Sequence, residues 1–278
     1  MPLSLMYITN IPSVALIAER YGVDRIMVDL ETLGKEERQK NMNTVKSHHT
    51  IEDVKNISSV LTSSEMLVRI NPWNAGSVNE IEAVISAGAD RIMLPMWKTV
   101  REVDAFLSAV NGRVRTTLLL ETKEAVEIVD EILKAPFIDE VHIGLNDLHL
   151  SYGLTFMFEL LSNGVVEYLC KKFEARGIQY GFGGIAKIGE GTLPAENIVM
   201  EHYRLGSSRV ILSRSFCNTE EVTDISSIEN VFSENVTLLR NFEKSLISKS
   251  DAEYAENSKT VKCRVDMIVD KIKERMAK

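Results

Sequence analysis

Short apolar segments alternate along this chain with longer segments in which apolar residues recur at helical spacing. Short, continuously apolar runs are typical of strands buried on both faces, and their alternation with helices indicates a parallel sheet with crossover helices. Strands are predicted at 3–8, 25–29, 66–70, 91–94, 114–120, 141–143, 179–182 and 209–212. Helices are predicted at 14–20, 51–60, 78–87, 100–109, 123–133, 156–176 and 195–205. These counts favour an α/β fold of the (β/α)8 TIM barrel type, with a doubly wound open sheet as the alternative.

An internal repeat supports the barrel, because GVDRIMV at 22–28 recurs as GADRIML at 88–94. In both copies a glycine ends a helix, a short polar turn follows, and a strand begins. Asp24 and Asp90 precede their strands and therefore belong to the stability face of a barrel. We interpret both as turn residues rather than catalytic ones.

The chain changes character after residue 217, where two long polar-rich helical stretches follow at 222–249 and 252–276 without a new strand. The first can hold the last barrel helix, and the second exceeds what closing a barrel requires. We therefore expect barrel strands and a catalytic face in 1–217, and an extended C-terminal helical segment in 218–278. Subunit contact is the predicted use of the extension, with a solvated terminal helix as the alternative.

Composition narrows the class of protein. The 278 residues are 45% hydrophobic and 26% charged, which is enough for one large single-core domain or two small ones, and we favour one domain. A net charge of -8 argues against nucleic-acid and membrane partners, and no cationic leader or long apolar span is evident, so a cytoplasmic protein is expected. Three scattered cysteines, Cys170, Cys217 and Cys263, do not form a disulfide or zinc pattern and are predicted to be packed side chains.

Two carboxylates follow apolar runs, Glu121 after the fifth predicted strand and Asp147 after the sixth. The carboxyl ends of parallel strands open onto the face where ligands bind. Two such carboxylates indicate a divalent metal, and hard oxygen ligands favour Mg²⁺ or Mn²⁺.

Charged residues also end the second and third strands. Arg69 lies among apolar residues, where a guanidinium is costly unless it meets an anion, and its planar fork suits a carboxylate or an enolate oxygen. Asp29 and Glu31 are two residues apart and share one side of an extended strand. They either order metal-bound water or hold Arg69, and a buried ion-pair network is the alternative.

Five short motifs, together and in this order, resemble the HpcH/HpaI aldolase and citrate lyase beta-subunit superfamily over residues 3–217. They are VDLE at 28–31, VRINP at 68–72, LP at 94–95, LLET at 119–122 and IGLNDL at 143–148, with YG at 152–153 behind the last. The resemblance implies a metal-dependent (β/α)8 lyase in which Glu121 and Asp147 bind Mg²⁺ or Mn²⁺. It also implies that Arg69 binds a keto acid and stabilises its enolate, while Asp29 and Glu31 support bound water.

The implied activity is that of a class II-type aldolase, a metal-dependent carbon-carbon lyase that cleaves or forms a 4-hydroxy-2-keto acid through a pyruvate-like enolate. Its partners would be a small 2-keto acid and an aldehyde, sugar-derived or phosphorylated, and the resemblance implies a homo-oligomer. Two alternatives stay open: a citrate lyase-like enzyme acting on an acyl-CoA thioester, and a non-catalytic keto-acid-binding barrel.

One position departs from the family pattern. Aldolases of this family usually follow the Asp-x-Glu segment with a histidine that acts as general base, and here that position is Thr32. Threonine does not take up a proton near neutral pH. His48 and His49, in a polar connection after the second strand, are the predicted replacements, and His149, shortly after Asp147, is a further candidate. His142, inside a strand, is predicted to be a packed residue with a satisfied ring.

Further residues are expected to shape the substrate pocket. Arg214 follows the eighth strand, where barrels often hold phosphate, and Gly183 lies in a glycine-rich strand end that lets a ligand approach the backbone. Trp73 and Trp97 are expected to wall the pocket or an interface. The predicted substrate-binding set is Arg69, Gly144, Asn146, Asp147, Gly183 and Arg214.

Overall fold

A computed structural model describes residues 2–34 and 49–277, and in it eight parallel strands pair in chain order to form a closed barrel. The (β/α)8 prediction is confirmed, and the open doubly wound sheet is wrong because β8 pairs with β1. The strands are β1 Ser4–Ile8, β2 Arg25–Asp29, β3 Glu65–Arg69, β4 Arg91–Leu94, β5 Arg115–Leu120, β6 Glu140–Ile143, β7 Gln179–Ile185 and β8 Arg209–Leu212.

Helices follow the strands and form the outer ring. The described helices are α1 Pro12–Arg20, α2 Ile51–Ser58, α3 Ser77–Ser86, α4 Val100–Val110, α5 Lys123–Glu127, α6 Val129–Ile132, α7 Leu145–Ser151, α8 Glu159–Ser162, α9 Val165–Ala175, α10 Ala195–Arg204, α11 Ile225–Leu246 and α12 Asp251–Met276. The helix predicted over 156–176 is broken, because Gly164 has φ 86° and separates α8 from α9. Helical spacing alone does not reveal such a break.

Three layers of side chains fill the barrel. The middle layer is apolar and consists of Met6, Met27, Leu67, Met93 and Leu119. Because side chains alternate along a strand, the residues two positions before and after these also point inward. The interior therefore has one layer below the apolar residues and one layer above them.

The lower layer, at the amino-terminal end of the barrel, is a buried ion-pair cluster. Arg25 Nη1 lies 2.7 Å from Glu140 Oε1, Arg91 Nε lies 3.1 Å from Glu65 Oε2, and Arg209 also donates to Glu140. Burial opposes ionisation of Glu140, but the three arginines outweigh it and lower its pKa. These residues close the base of the barrel and lie away from the ligand face.

The repeated Asp-Arg turns have a structural role. Asp24 Oδ2 accepts a hydrogen bond from the Leu5 amide at 2.8 Å, and Asp90 Oδ2 accepts one from the Met66 amide at 2.8 Å. Each aspartate thus ties the start of the preceding strand to the turn before its own strand. This agrees with their interpretation as turn residues.

The two C-terminal helices have different positions. Helix α11 packs against α1 and α10 and so completes the helical ring as the eighth barrel helix. Helix α12 packs on α8 and α10 with Val261, Val265 and Val269 buried, and the Asn257 side chain donates to Glu201 Oε1 at 2.9 Å. The apolar stripe of α12 is thus covered by the chain's own helices, and its use in subunit contact stays a prediction.

Two smaller predictions concern cysteines and membranes. Cys170 and Cys217 are buried as predicted, but the prediction is wrong for Cys263, which is exposed on the polar side of α12. Within 2–34 and 49–277, none of the helices combines the length and the apolar content that crossing a bilayer requires.

Candidate functional site

A cavity of about 550 Å³ opens at the carboxyl ends of the strands. Met27, Met93 and Leu119 of the middle layer form its floor, and the predicted residues Asp29, Arg69, Glu121 and Asp147 line it. A larger concavity of about 1220 Å³ lies at the opposite face, around Asp24 and Asp90, and it is lined by none of the predicted site residues that the structure describes. We place the functional site at the carboxyl-end cavity, because the chemistry-bearing side chains converge there.

Arg69 is held in place by the acids of β2. Asp29 and Arg69 are paired in the register of β2 and β3, and the guanidinium donates to both Asp29 oxygens, each at 2.8 Å. Glu31 Oε2 lies 3.4 Å from Arg69 Nη1. Burial disfavours the charged form of Arg69, but Asp29 and Glu31 outweigh it and raise its pKa. Arg69 is therefore a fixed, permanently charged donor.

Glu121 is almost fully buried, at 3% exposure. Its Oε1 accepts a hydrogen bond from the Met96 amide at 3.0 Å. Burial, and then the negative charges of Asp147 and Glu31, raise the pKa of Glu121 well above its usual range, although Arg69 and the Met96 amide act in the opposite direction. This carboxylate lies in a place where additional positive charge would stabilise it.

The carboxylates of Glu121 and Asp147 are the ones placed to hold a divalent cation. Asp29 and Glu31 are paired with Arg69, and the negative charge of Asp147 acts on the buried Glu121. In residues 2–34 and 49–277, no group of three or more His, Cys, Asp or Glu side chains is arranged to hold a metal. Mg²⁺ is commonly bound by only one or two carboxylates, with water and substrate oxygens as its other ligands. Glu121 and Asp147 match that kind of site.

His49 lies in the cavity beside Asp29. Its Nδ1 accepts a hydrogen bond from the Asp29 amide at 3.0 Å, so the neutral ring carries its proton on Nε2. In this orientation the ring presents an N–H at Nε2 and uses its lone pair on the backbone. His48, the second predicted base, lies outside the described residues.

Thr32 and His149 lie away from the cavity. The Thr32 amide and hydroxyl both donate to Asn71 Oδ1, at 2.9 and 3.3 Å, and the side chain is exposed. His149 is buried, with its Nδ1 3.2 Å from the Leu145 carbonyl oxygen within the same helix. Neither residue lines the cavity.

The prediction of a satisfied ring at His142 is wrong in part. Nε2 lies 3.1 Å from the Gly183 carbonyl oxygen, but the buried Nδ1 has no hydrogen-bond partner among the described residues. Burial lowers the pKa of His142 to about 4, so the ring is neutral at physiological pH. His142 lines the floor of the cavity next to the apolar layer.

The two predicted glycines serve different purposes. A Cβ at Gly144 would lie 2.8 Å from Glu121 Oε2, so this glycine makes room for the carboxylate. Gly183 has φ 54°, and a Cβ there would lie 2.7 Å from Leu145 Cδ1. Asn146 lines the cavity, and Arg214 lies exposed at its mouth.

Sequence reasoning missed several residues of the site. Tyr7, Thr9 and Asn10, at the end of β1, form part of the wall, and no charge in that segment marked them. The Met96 amide contacts Glu121, and a backbone donor has no residue-type signal. Trp73 and Trp97, which were expected to wall the pocket or an interface, do not line the cavity, and the interface alternative stays a prediction.

Comparisons with known proteins point to one family. A family model described as HpcH/HpaI aldolase/citrate lyase matches residues 4–159. A search of curated proteins finds no match. The structure of an HpcH/HpaI aldolase from Desulfitobacterium hafniense DCB-2 has a TM-score of 0.59 and 16% identity, covering 82% of this chain and 93% of that chain.

Two other solved structures have the same fold. An HpcH/HpaI aldolase/citrate lyase family protein from Burkholderia cenocepacia J2315 has a TM-score of 0.59 and 14% identity, covering 82% of this chain and 95% of that chain. RipC from Yersinia pestis has a TM-score of 0.55 and 16% identity, covering 83% of this chain and 94% of that chain.

Proposed function

The chain belongs to the HpcH/HpaI aldolase/citrate lyase family, and from that membership we propose that it is a divalent-metal-dependent carbon-carbon lyase. The proposed reaction is cleavage or formation of a 4-hydroxy-2-keto acid through a pyruvate-like enolate. The observation that carries the proposal is the convergence of Arg69, Glu121 and Asp147 on one cavity at the carboxyl ends of the strands.

Glu121 and Asp147 are the proposed ligands of Mg²⁺ or Mn²⁺. When bound, the ion supplies positive charge that polarises the keto group and offsets the charge that appears as the carbon-carbon bond breaks. The support for this site is that Glu121 is buried beside the negative charge of Asp147, an arrangement that raises the pKa of Glu121 and that a cation would stabilise.

Arg69 is the proposed stabiliser of the enolate. In the cleavage direction the C4 hydroxyl loses its proton, the C3–C4 bond breaks, and its electron pair moves to C3 and the keto oxygen. The products are an aldehyde and an enolate, which takes a proton at C3 to give the keto acid. Asp29 fixes the guanidinium through two hydrogen bonds, so Arg69 can stabilise the oxygen without reorganising during the reaction.

His49 is the proposed carrier of the C4-hydroxyl proton among the described histidines, because it lines the cavity beside Arg69 and Asp29. To act as a base, the ring must release the Asp29 amide and present a lone pair to the substrate. The role of His49 as general base therefore stays a prediction, and so does that of His48.

The residues of the outer cavity wall indicate which kind of aldehyde could be the partner of the keto acid. Asn10, Ser213, Asn218 and Thr219 supply amide and hydroxyl groups, and Arg214 adds a positive charge at the mouth. This lining supports a hydroxylated or phosphorylated aldehyde as the partner of the keto acid, and a cavity of about 550 Å³ is in the range of small-molecule sites. Homo-oligomerisation and a cytoplasmic location stay predictions.

A citrate lyase-like reaction on an acyl thioester is the second candidate, and Thr32 supports it because the usual histidine is absent from that position. A non-catalytic keto-acid-binding barrel is the third.

The first proposal is tested by the exchange of pyruvate methyl protons with heavy water. NMR monitors this exchange in the presence of Mg²⁺ or Mn²⁺ and then after a chelator is added. Metal-dependent exchange that Glu121→Ala abolishes supports the proposed lyase. Absence of exchange, together with cleavage of an acyl-CoA, would favour the thioester reaction instead. Binding of a keto acid without either reaction would favour the non-catalytic barrel.

A further inference from the structure

Met96 has an unusual backbone conformation at the edge of the site. It follows β4 and Pro95 and has φ 54°, a left-handed value that residues with a Cβ rarely adopt. Among the described residues, the other two non-glycine positive φ values are at Asn111, which ends α4, and at Phe137, far from the cavity. Backbone held in a sparsely populated region persists only where its surroundings enforce it.

The left-handed turn has a visible result at Glu121. It aims the Met96 amide at Glu121 Oε1, with the nitrogen and oxygen 3.0 Å apart. With the chain on both sides held in place, a negative φ at Met96 would require the peptide between Pro95 and Met96 to flip, which would turn this N–H away from Glu121. The Met96 contribution therefore lies in its backbone, and its side chain is not required for the hydrogen bond.

The other oxygen of Glu121 faces Gly144. A Cβ at this position would lie 2.8 Å from Glu121 Oε2 and 2.9 Å from Glu121 Cβ, closer than real contacts of this kind. Gly144 has φ -81°, which any residue can adopt, so the backbone does not demand a glycine. Space for the carboxylate is what requires it.

We propose that the left-handed turn at Met96 and the bare backbone at Gly144 together set the rotamer of Glu121, and thereby the affinity of the site for a divalent metal. The inference rests on the proposed function, in which Glu121 is a metal ligand. In this inference both are positioning residues, because they act through Glu121. The carboxylate is therefore oriented before the metal arrives.

The inference can be tested without an enzymatic assay by titrating the whole chain with Mn²⁺ alone and measuring the heat of binding by calorimetry. Met96→Gly and Met96→Asn keep the amide and tolerate positive φ, and we expect affinities within about twofold of the wild type. Met96→Val disfavours positive φ through its branched side chain and is expected to weaken binding by about tenfold or more. Gly144→Ala is expected to weaken it similarly because its Cβ displaces Glu121.

The matched control is Asn111, which has φ 49° at the end of α4 and lies away from the cavity. Asn111→Val introduces the same backbone conflict, and we expect it to lower the thermal unfolding midpoint while leaving Mn²⁺ affinity unchanged. If Met96→Val does not fold, Met96→Thr replaces it, because its side chain is also branched at Cβ, and we expect a similar weakening of Mn²⁺ binding.

The outcomes separate the inference from the proposed function. One outcome would overturn the inference and leave the metal site intact. In it, the wild type binds Mn²⁺, Glu121→Ala abolishes that binding, and Met96→Val and Met96→Gly bind with equal affinities. Parallel weakening in Met96→Gly and Met96→Val would also overturn it, because the side chain would then be responsible. Mn²⁺ affinity that Glu121→Ala leaves unchanged would overturn the metal site and the inference together.

Discussion

Replacement of Arg69 by lysine probes the group proposed to stabilise the enolate. The guanidinium satisfies both Asp29 oxygens at 2.8 Å while keeping further N–H groups for a ligand. A lysine ammonium carries its three N–H groups on one atom, so it cannot keep both side-by-side hydrogen bonds to Asp29 and also reach the substrate oxygen in the same geometry. Loss of one hydrogen bond to a charged group costs about 2 kcal/mol, which is about thirtyfold in rate. This loss is measured as the decrease in the rate of metal-dependent exchange of pyruvate methyl protons.

Arg113 provides the matched control, because it pairs with Glu82 through two hydrogen bonds of 2.8 and 2.7 Å on the surface. Arg113→Lys changes the same chemistry outside the cavity and is expected to leave the exchange rate unaltered. Thermal unfolding of both variants shows how much protein is folded at the assay temperature. Equal exchange rates for wild type and Arg69→Lys, at equal folded fractions, would refute the role of Arg69.

Three other substitutions address the metal, the proton and the stability of the fold. Asp147→Asn is expected to lower Mn²⁺ affinity at an unchanged unfolding midpoint, and calorimetry that shows full affinity would remove Asp147 as a ligand. His49→Asn is expected to slow cleavage of a 4-hydroxy-2-keto acid by about 10²-fold or more, and a loss below about tenfold would rule out His49 as the base. Burial opposes ionisation of Glu19, but amides of residues 62–64 donate to it and lower its pKa from 4.5 to about 2. The stability that Glu19 adds over Glu19→Gln should be complete above about pH 5 and decline as the pH falls from 4.5 towards 2, and a pH-independent difference in urea midpoints would contradict this.

Most of the barrel could be predicted from the sequence, because strands buried on both faces have few polar residues and each ends near a polar turn. The predicted bounds of β2, β4 and β8 are those observed. The helix predicted over 156–176 failed at Gly164, since an apolar period continues across a residue whose backbone turns left-handed.

The candidate site could be predicted where charged residues, or glycines at a strand end, indicate it. Asp29, Arg69, Glu121 and Asp147 follow apolar strands, and the structure brings all four to one cavity. The amide of Met96 could not be found in this way, because every residue except proline carries the same donor. The half-satisfied ring of His142 was also invisible, since the position of one histidine nitrogen relative to Gly183 depends on the pairing of β6 with β7.

The apolar middle layer separates the charged residues inside the barrel into two groups of ion pairs. Below it, Arg25, Arg91 and Arg209 exchange ion pairs with Glu65 and Glu140, and above it Arg69 is paired with acids of the cavity. The lower group closes the amino-terminal end of the barrel, while the upper group lies at the cavity where the reaction is proposed to occur. Substitutions at the carboxyl-end face, such as one at Thr32, should therefore leave the ion pairs at the amino-terminal end of the barrel intact.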